Sequence, residues 1–312
     1  MPLSAPLRPF LDWTVDTDPA RWQPVDASIL GIPTSEAYSG EPRPNDQANA
    51  PEAIRAQSGQ FSDGPDHWDF DLGGPLGRHL PAGRARDAGN IAASVLPFDQ
   101  QFEETIAIVR RQMGTSRFSI VLGGDHGVTI PVVMALEVIG RPVHLVQIDA
   151  HIDWRDEVRG SRRGYSSPMR RASELPWISG ITQIGIRGTG SARSEEVERA
   201  RAYGAAIHTA AAIHGGGLGA VLASLAGKGP FFITIDADGL DPAVMPGVMA
   251  PAPGGLRFDQ VVAIVRALGR EGLVGMDLVE LAPSFDLANK VSAITAGRLI
   301  INALDAALGW SR

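Results

Sequence analysis

The chain has 312 residues, 44% of them hydrophobic, which is enough to bury a large core; it has no cysteine, and this excludes disulfides, thiolate metal sites and cysteine nucleophiles. A formal net charge of −7 argues against a polyanionic partner such as nucleic acid. The N-terminus has no basic start followed by a long apolar core, and no apolar run approaches the length of a bilayer span, so a cytoplasmic protein working without a membrane is expected.

Residues 1–27 read as an irregular arm. ASILGIP then reads as a short strand and TSEAYSGEPRPNDQANA as a loop of turn formers. APEAIRAQS begins a helix, with Pro51 in the first turn where its missing N–H costs nothing. Residues 58–90, with Gly, Pro and Asp throughout, read as loop with one short strand at most. From residue 97 the pattern is regular. PFDQQFEETIAIVRRQMG is an amphipathic helix, FSIVLGG a strand, IPVVMALEVIG a helix and PVHLVQIDA a strand. A polar loop over 154–167 precedes a helix at SPMRRASE, the strand ITQIGIRG and the helix SEEVERARAYG. AAIHTA is a short strand, GLGAVLASLAG a helix, PFFITIDAD a buried strand and FDQVVAIVRALGR a helix. LVGMDLVEL is the last strand and NKVSAITAGRLIINALDAAL the closing helix. Almost wholly apolar strands alternating with amphipathic helices predict a parallel sheet covered on both faces, in one α/β domain over residues 28–312.

In open α/β sheets ligands bind at the carboxyl ends of the strands. There this chain places acid and imidazole: GGDHG after FSIVL, with Asp125 and His126; DAHID after VHLVQI, with Asp149, His151 and Asp153; DADGLDP after FFITI, with Asp236 and Asp238; and Glu280 after LVGMDLV. An interior does not tolerate so many carboxylates without counter-charge, and bound cations supply it. Alternate residues of an extended backbone share a side, so Asp149, His151 and Asp153 are expected to approach one centre, and Asp236 with Asp238 likewise. Four carboxylates and two imidazoles match two divalent ions. The donors point to Mn²⁺ first, the nitrogens also admit Ni²⁺, Co²⁺ or Zn²⁺, and Mg²⁺ is disfavoured. Two such ions a few ångströms apart would generate a nucleophile from water at neutral pH, so hydrolysis is the reaction class.

Each residue taken alone also fits a structural role, because an Asp at a strand end commonly caps the next helix or turn. Asp241, before Pro242, is read as such a turn residue, and Asp125 as an outer partner orienting the His126 ring. His67, His79, His144, His208 and His214 are read as surface or packing residues. GGGLGA at 215–220 loosely fits a dinucleotide-binding glycine pattern, but no strand runs into it, and a loop leading into a helix is preferred. Six candidates in three clusters on one sheet edge resist the capping explanation.

GGDHG, DAHID, IDADGLDPAVMPG with PAPGGL, and MDLVEL followed by AP, in that order, resemble the ureohydrolase family of arginases, agmatinases and related amidinohydrolases. The likeness runs from about residue 28 to the C-terminus, and DGLDPA with PGGL resembles the agmatinase-like branch. The resemblance implies a three-layer α/β/α domain around a mainly parallel sheet, assembled as a homo-trimer or homo-hexamer or with a second kind of subunit. It implies that His126, Asp149, Asp153 and Asp236 bind one metal and Asp149, His151, Asp236 and Asp238 the other, with Asp149 and Asp236 bridging. Glu280 then matches the acid that holds the guanidinium. The implied reaction is attack of metal-activated water on the guanidinium carbon, collapse of the tetrahedral intermediate, and release of urea and an amine.

Three departures concern the substrate. In the loop after DAHxD, agmatinases carry His-Gly-Thr-Pro-Phe-Arg-Arg; here YSSPMRR puts Tyr165 where the family's proton-shuttling His is expected. A phenol, with an ordinary pKa near 10, shuttles protons poorly at neutral pH but can donate a hydrogen bond and wall a pocket. PGVMAP (246–251) replaces Pro-Gly-Thr-Gly-Thr-Pro, so Val248 and Met249 make that rim apolar, and EAYSGEPRPNDQ lacks the usual Arg-Pro-Gly. The expectation is hydrolysis of a small guanidine-type compound other than arginine or agmatine, with Asp149, Glu280 and Tyr165 catalytic and Glu280, Tyr165 and Met249 binding substrate. An ω-guanidino acid could meet Arg155 or Arg162, although a solvated loop is the preferred reading of both. The other class is a compact guanidine, biguanide or guanylurea-type compound. The rivals are a catalytically weakened ureohydrolase-like subunit, and hydrolysis of a formimino or ureido group without urea.

Overall fold

The computed structural model describes residues 3–34, 38, 46–59, 64, 66–80, 83–92, 97–189 and 192–309. Its sheet is built from β1 (Val25–Ile32), β2 (Ala85–Ile91), β3 (Ser116–Gly123), β4 (Val143–Ile148), β5 (Ile178–Ile186), β6 (Ala206–Thr209), β7 (Phe231–Asp236) and β8 (Leu273–Val279). These strands run parallel in the order β2-β1-β3-β8-β7-β4-β5-β6. Leu3–Ser4 pairs antiparallel and Thr14–Val15 parallel with β2, so the arm is tied to the sheet rather than irregular throughout.

The helices are α1 (Ala50–Gln57), α2 (Phe98–Gly114), α3 (Thr129–Ala135), α4 (Pro168–Ala172), α5 (Ser194–Tyr203), α6 (Ala210–Gly216), α7 (Gly219–Leu225), α8 (Phe258–Glu271) and α9 (Val291–Gly309). They cover the two faces. Ile29, Ile120 and Ile233 pack with Leu268 of α8 and Leu299 of α9, while Leu30, Val121 and Phe232 pack with Val109 of α2 and Val132 of α3. Neighbouring residues of one strand thus serve opposite layers, as the period of two requires. The expected three-layer α/β/α arrangement around a mainly parallel sheet is what forms.

β2 corrects the reading of residues 58–90, which also hold the short hairpin of Trp68–Asp69 with Gly74–Pro75. Its sequence ARDAGNI is too polar to read as a buried strand, yet every residue of it is buried. The polarity is answered by α1: Arg55 Nε lies 2.8 Å from Asp87 Oδ2 with both side chains fully buried, and Arg55 Nη1 donates to Asn90 Oδ1 at 2.6 Å. Removing either partner would strand a buried charge, at a cost of about 3–5 kcal/mol. α6 was likewise not expected. α9 is long and apolar enough to cross a membrane, which corrects the expectation that no run approaches that length; it is mostly buried, as the closing core helix. Of the loop EAYSGEPRPNDQ, only Tyr38, Asp46 and Gln47 lie within the described residues.

Candidate metal centre

β3, β4, β7 and β8 are neighbours in the sheet, and their carboxyl ends bring the three motifs and Glu280 together. Two glycines let the loops touch. A Cβ on Gly124 would lie 1.5 Å from the carbonyl oxygen of Thr34, and one on Gly239 would lie 2.7 Å from the backbone nitrogen of Asp149.

Around His126, which is 1% exposed, Nδ1 stands 2.8 Å from Asp153 Oδ2, 3.1 Å from Asp149 Oδ2 and 3.2 Å from Asp236 Oδ2. A second group forms around His151, whose Nδ1 is 3.4 Å from Asp149 Oδ1 and 3.3 Å from Asp238 Oδ2. Asp149 therefore presents one oxygen to each group. Asp236 joins the first group through Oδ2, while its Oδ1 accepts the backbone N–H of Asp238 at 2.8 Å. The buried Nδ1 of His126 makes no hydrogen bond among the described residues, although three carboxylate oxygens converge on it. A proton there would satisfy one oxygen. Ligand atoms at right angles around an ion bonded at about 2.1 Å lie about 3 Å apart, the spacing found here, so the residues fit a metal ion.

The alternation of Asp149, His151 and Asp153 has a different cause from the one expected. β4 ends at Ile148, the three residues lie in a bend, and Asp153 has φ 48°, in the left-handed region. The bend sends Asp153 to the first group and His151 to the second instead of aligning all three on one pleat. The capping role coexists with the clustering: Asp149 Oδ1 accepts the His151 N–H at 2.6 Å, and Asp236 Oδ1 that of Asp238. Asp125 caps the turn through Gly127 N, and the outer partner of the His126 ring is Thr234, whose Oγ1 lies 3.0 Å from Nε2. Behind it Thr129 Oγ1 donates to Asp277 Oδ2 at 2.9 Å. Thr234 and Asp277 were missed because each looks like one polar residue inside an apolar strand. Arg187, also missed, donates to the carbonyls of Asp238 and Ala252, each at 2.6 Å, and braces the Asp238 loop.

The charges press on one another. Burial and the charge of Asp149 push Asp153 up to about 7, and burial with Asp238 and Asp149 holds Asp236 well above the usual carboxylate range. Burial opposes protonation of His151, but Asp149 and Asp238 outweigh it and carry the ring up to about 12. This is a cluster short of positive charge. Glu280, at φ 63°, accepts from the His126 N–H at 2.7 Å and from Gln47 Nε2 at 3.0 Å, and burial raises its pKa.

Tyr165 packs on Tyr38 with ring centroids 4.6 Å apart, and Tyr38 Oη accepts the Ser166 N–H at 3.2 Å. Met249 is half-buried and follows Val248, which bridges to Leu281 beside Glu280. Arg155 is not in a solvated loop: it pairs with Glu196 at 2.9 Å and is mostly buried, whereas Arg162 is exposed beside Asp156. Asp241 is the turn residue expected, accepting from Ala243, Gly254 and Gly255 N–H groups. GGGLGA spans the end of α6 and the start of α7, so a helix and not a strand runs into it.

The Arginase family model matches residues 25–305. The chain belongs to the arginase family. It is 29% identical over 277 residues to the proclavaminate amidinohydrolase of Streptomyces clavuligerus, covering 84% of this chain and 82% of that protein. The solved structure of that enzyme superposes with a TM-score of 0.81 at 26% identity, over 97% and 98% of the two chains. The guanidinobutyrase of Pseudomonas aeruginosa is 28% identical over 290 residues, 90% of this chain and 86% of that one. The agmatinase of Halalkalibacterium halodurans is 31% identical over 240 residues, 75% and 78%. This arginase-family chain is a hydrolase, and its named relatives are amidinohydrolases and ureohydrolases.

Proposed function

We propose that the chain hydrolyses a compact guanidine-type compound other than arginine or agmatine at a binuclear centre. His126, Asp149, Asp153 and Asp236 would hold one ion and Asp149, His151, Asp236 and Asp238 the other. The observation that carries this reading is Asp149, fully buried and with one carboxylate oxygen turned to each histidine group. Four carboxylates with two imidazoles suit Mn²⁺ first and Ni²⁺ second. When bound, such ions lower the pKa of water and stabilise developing negative charge.

The chain's own groups would do the rest. Glu280 pairs with the guanidinium and orients its carbon, its carboxylate fixed by the His126 N–H and Gln47. Tyr165, braced by the Tyr38 ring, closes one wall and offers a phenol hydroxyl as donor, and Met249 keeps the opposite rim apolar. Arg155 and Arg162 are engaged by Glu196 and Asp156, which counts against a carboxylate-tailed substrate and for a compact one with no charged tail. A cytoplasmic homo-trimer or homo-hexamer goes with this reading.

Metal analysis of purified protein, joined to urea release across a panel of arginine, agmatine, 4-guanidinobutanoate, guanidine, biguanides and guanylurea, tests it. Two ions per chain and urea chiefly from guanidine, the biguanides and guanylurea, the members with no charged tail, are expected. Absence of bound metal, or metal without urea from any compound, would overturn it.

A further inference from the structure

Gln147 on β4 and Gln183 on β5 face each other across neighbouring parallel strands, and both are fully buried. Buried amides cost stability unless their hydrogens are used. Gln183 Nε2 donates to the carbonyl oxygen of Ile152 at 2.7 Å and to Gln147 Oε1 at 2.6 Å. Gln147 Nε2 donates in turn to Asp149 Oδ2 at 2.6 Å and leans toward Asp153 Oδ2 at 3.4 Å. The direction of the chain is forced. The Ile152 carbonyl can only accept, so the NH₂ of Gln183 must face it; the second hydrogen then meets Gln147 Oε1, and the Gln147 NH₂ is left facing the carboxylates. The buried Oε1 of Gln183, which has no hydrogen-bond partner among the described residues, is the cost of this arrangement.

We propose that Gln147 and Gln183 are positioning residues, an uncharged relay that orients Asp149 and Asp153 as metal ligands. The inference rests on the binuclear reading of Asp149. With the His151 N–H on Oδ1 and Gln147 on Oδ2, both Asp149 oxygens are oriented by neutral N–H donors. A neutral donor suits this position because a fifth carboxylate would add to a cluster already rich in negative charge, and an amide does not titrate.

The test is Mn²⁺ affinity, measured by titration of metal-free protein for the wild type, Gln147→Met and Gln183→Glu. Gln147→Met keeps the stem and removes the donor, and is expected to weaken Mn²⁺ binding about 10- to 100-fold. Gln183→Glu touches no ligand and keeps its shape, but an ionised carboxylate cannot donate. Gln147 then turns its NH₂ away from Asp149, and affinity falls in the same direction. If Gln183→Glu does not fold, Gln183→Met makes the same break without a charge. Folded variants, checked by circular dichroism, that bind Mn²⁺ as the wild type does overturn the relay, even if their metal-free thermal midpoints drop. A wild type that binds no Mn²⁺ sinks the binuclear reading instead.

Discussion

His144 lies at the amino end of β4 and His151 in the bend just past its carboxyl end, and the protein treats them oppositely. His144, at the amino end, is buried beside the Phe231 ring with Nε2 2.9 Å from Thr182 Oγ1, and burial pushes its pKa down to about 4. His151, at the carboxyl end, has two carboxylates against its ring and is carried up to about 12 despite burial that pulls the other way. Near His144 the edge opens between Tyr203 and Lys228, with no acid among the lining residues. Burial makes a histidine a packing residue. Company of several carboxylates makes it part of a site, and among the described residues of this sheet that company gathers where the carboxyl ends of β3, β4, β7 and β8 meet.

The most damaging way to break the carboxyl-end cluster is through the residue its groups share. Asp149→Ala should abolish turnover, a loss of at least about 10³-fold in kcat if each ion supplies several kcal/mol of transition-state stabilisation, with both ions lost on metal analysis. Asp236→Ala is expected to be comparably severe. The two histidines should then separate. His126 is 1% exposed and backed by Thr234, while His151 is 25% exposed, so His151→Ala should retain one tightly held ion per chain and His126→Ala should lose the tighter one. Equal metal retention in the two variants would erase the distinction between a deep and an open site.

Much of this contrast is readable from sequence, though not always for the right reason. Apolar strands end visibly at GGDHG, DAHID and DADGLDP, because a parallel strand buried on both faces is mostly apolar and acids gather where it leaves the sheet. Partners distant in sequence stay hidden. ARDAGNI reads as a loop until Arg55 is known to neutralise Asp87, and the polar residue of each pair Gln147–Gln183 and Thr129–Asp277 looks like noise until the other is placed beside it. The alternating Asp149, His151 and Asp153 were identified by a pleat that the bend does not have.

Smaller effects sharpen the edges of the account. Tyr165→Phe removes only the hydroxyl; a fall in kcat/KM of about tenfold is expected if it donates to substrate, and an unchanged kcat with an unchanged pH–rate profile would leave it as wall alone. At the amino end, His144 is depressed, so its contribution to stability is present above the unfolded-state pKa near 6.5 and is lost as pH falls toward 4. Denaturant unfolding between pH 7.5 and 4 should show the wild type losing about 2 kcal/mol more than His144→Gln. Identical pH slopes would mean that the buried ring does not resist protonation.

The most direct test of the shared carboxylate is a Mn²⁺ titration of the metal-free protein followed by electron paramagnetic resonance. Two ions held through Asp149 should bind to a stoichiometry of two per chain, with the signal of the first changed by spin coupling to the second, and Asp149→Asn should lose that coupled signal. Two uncoupled sites, a single ion per chain, or a coupled signal that survives Asp149→Asn would contradict the account.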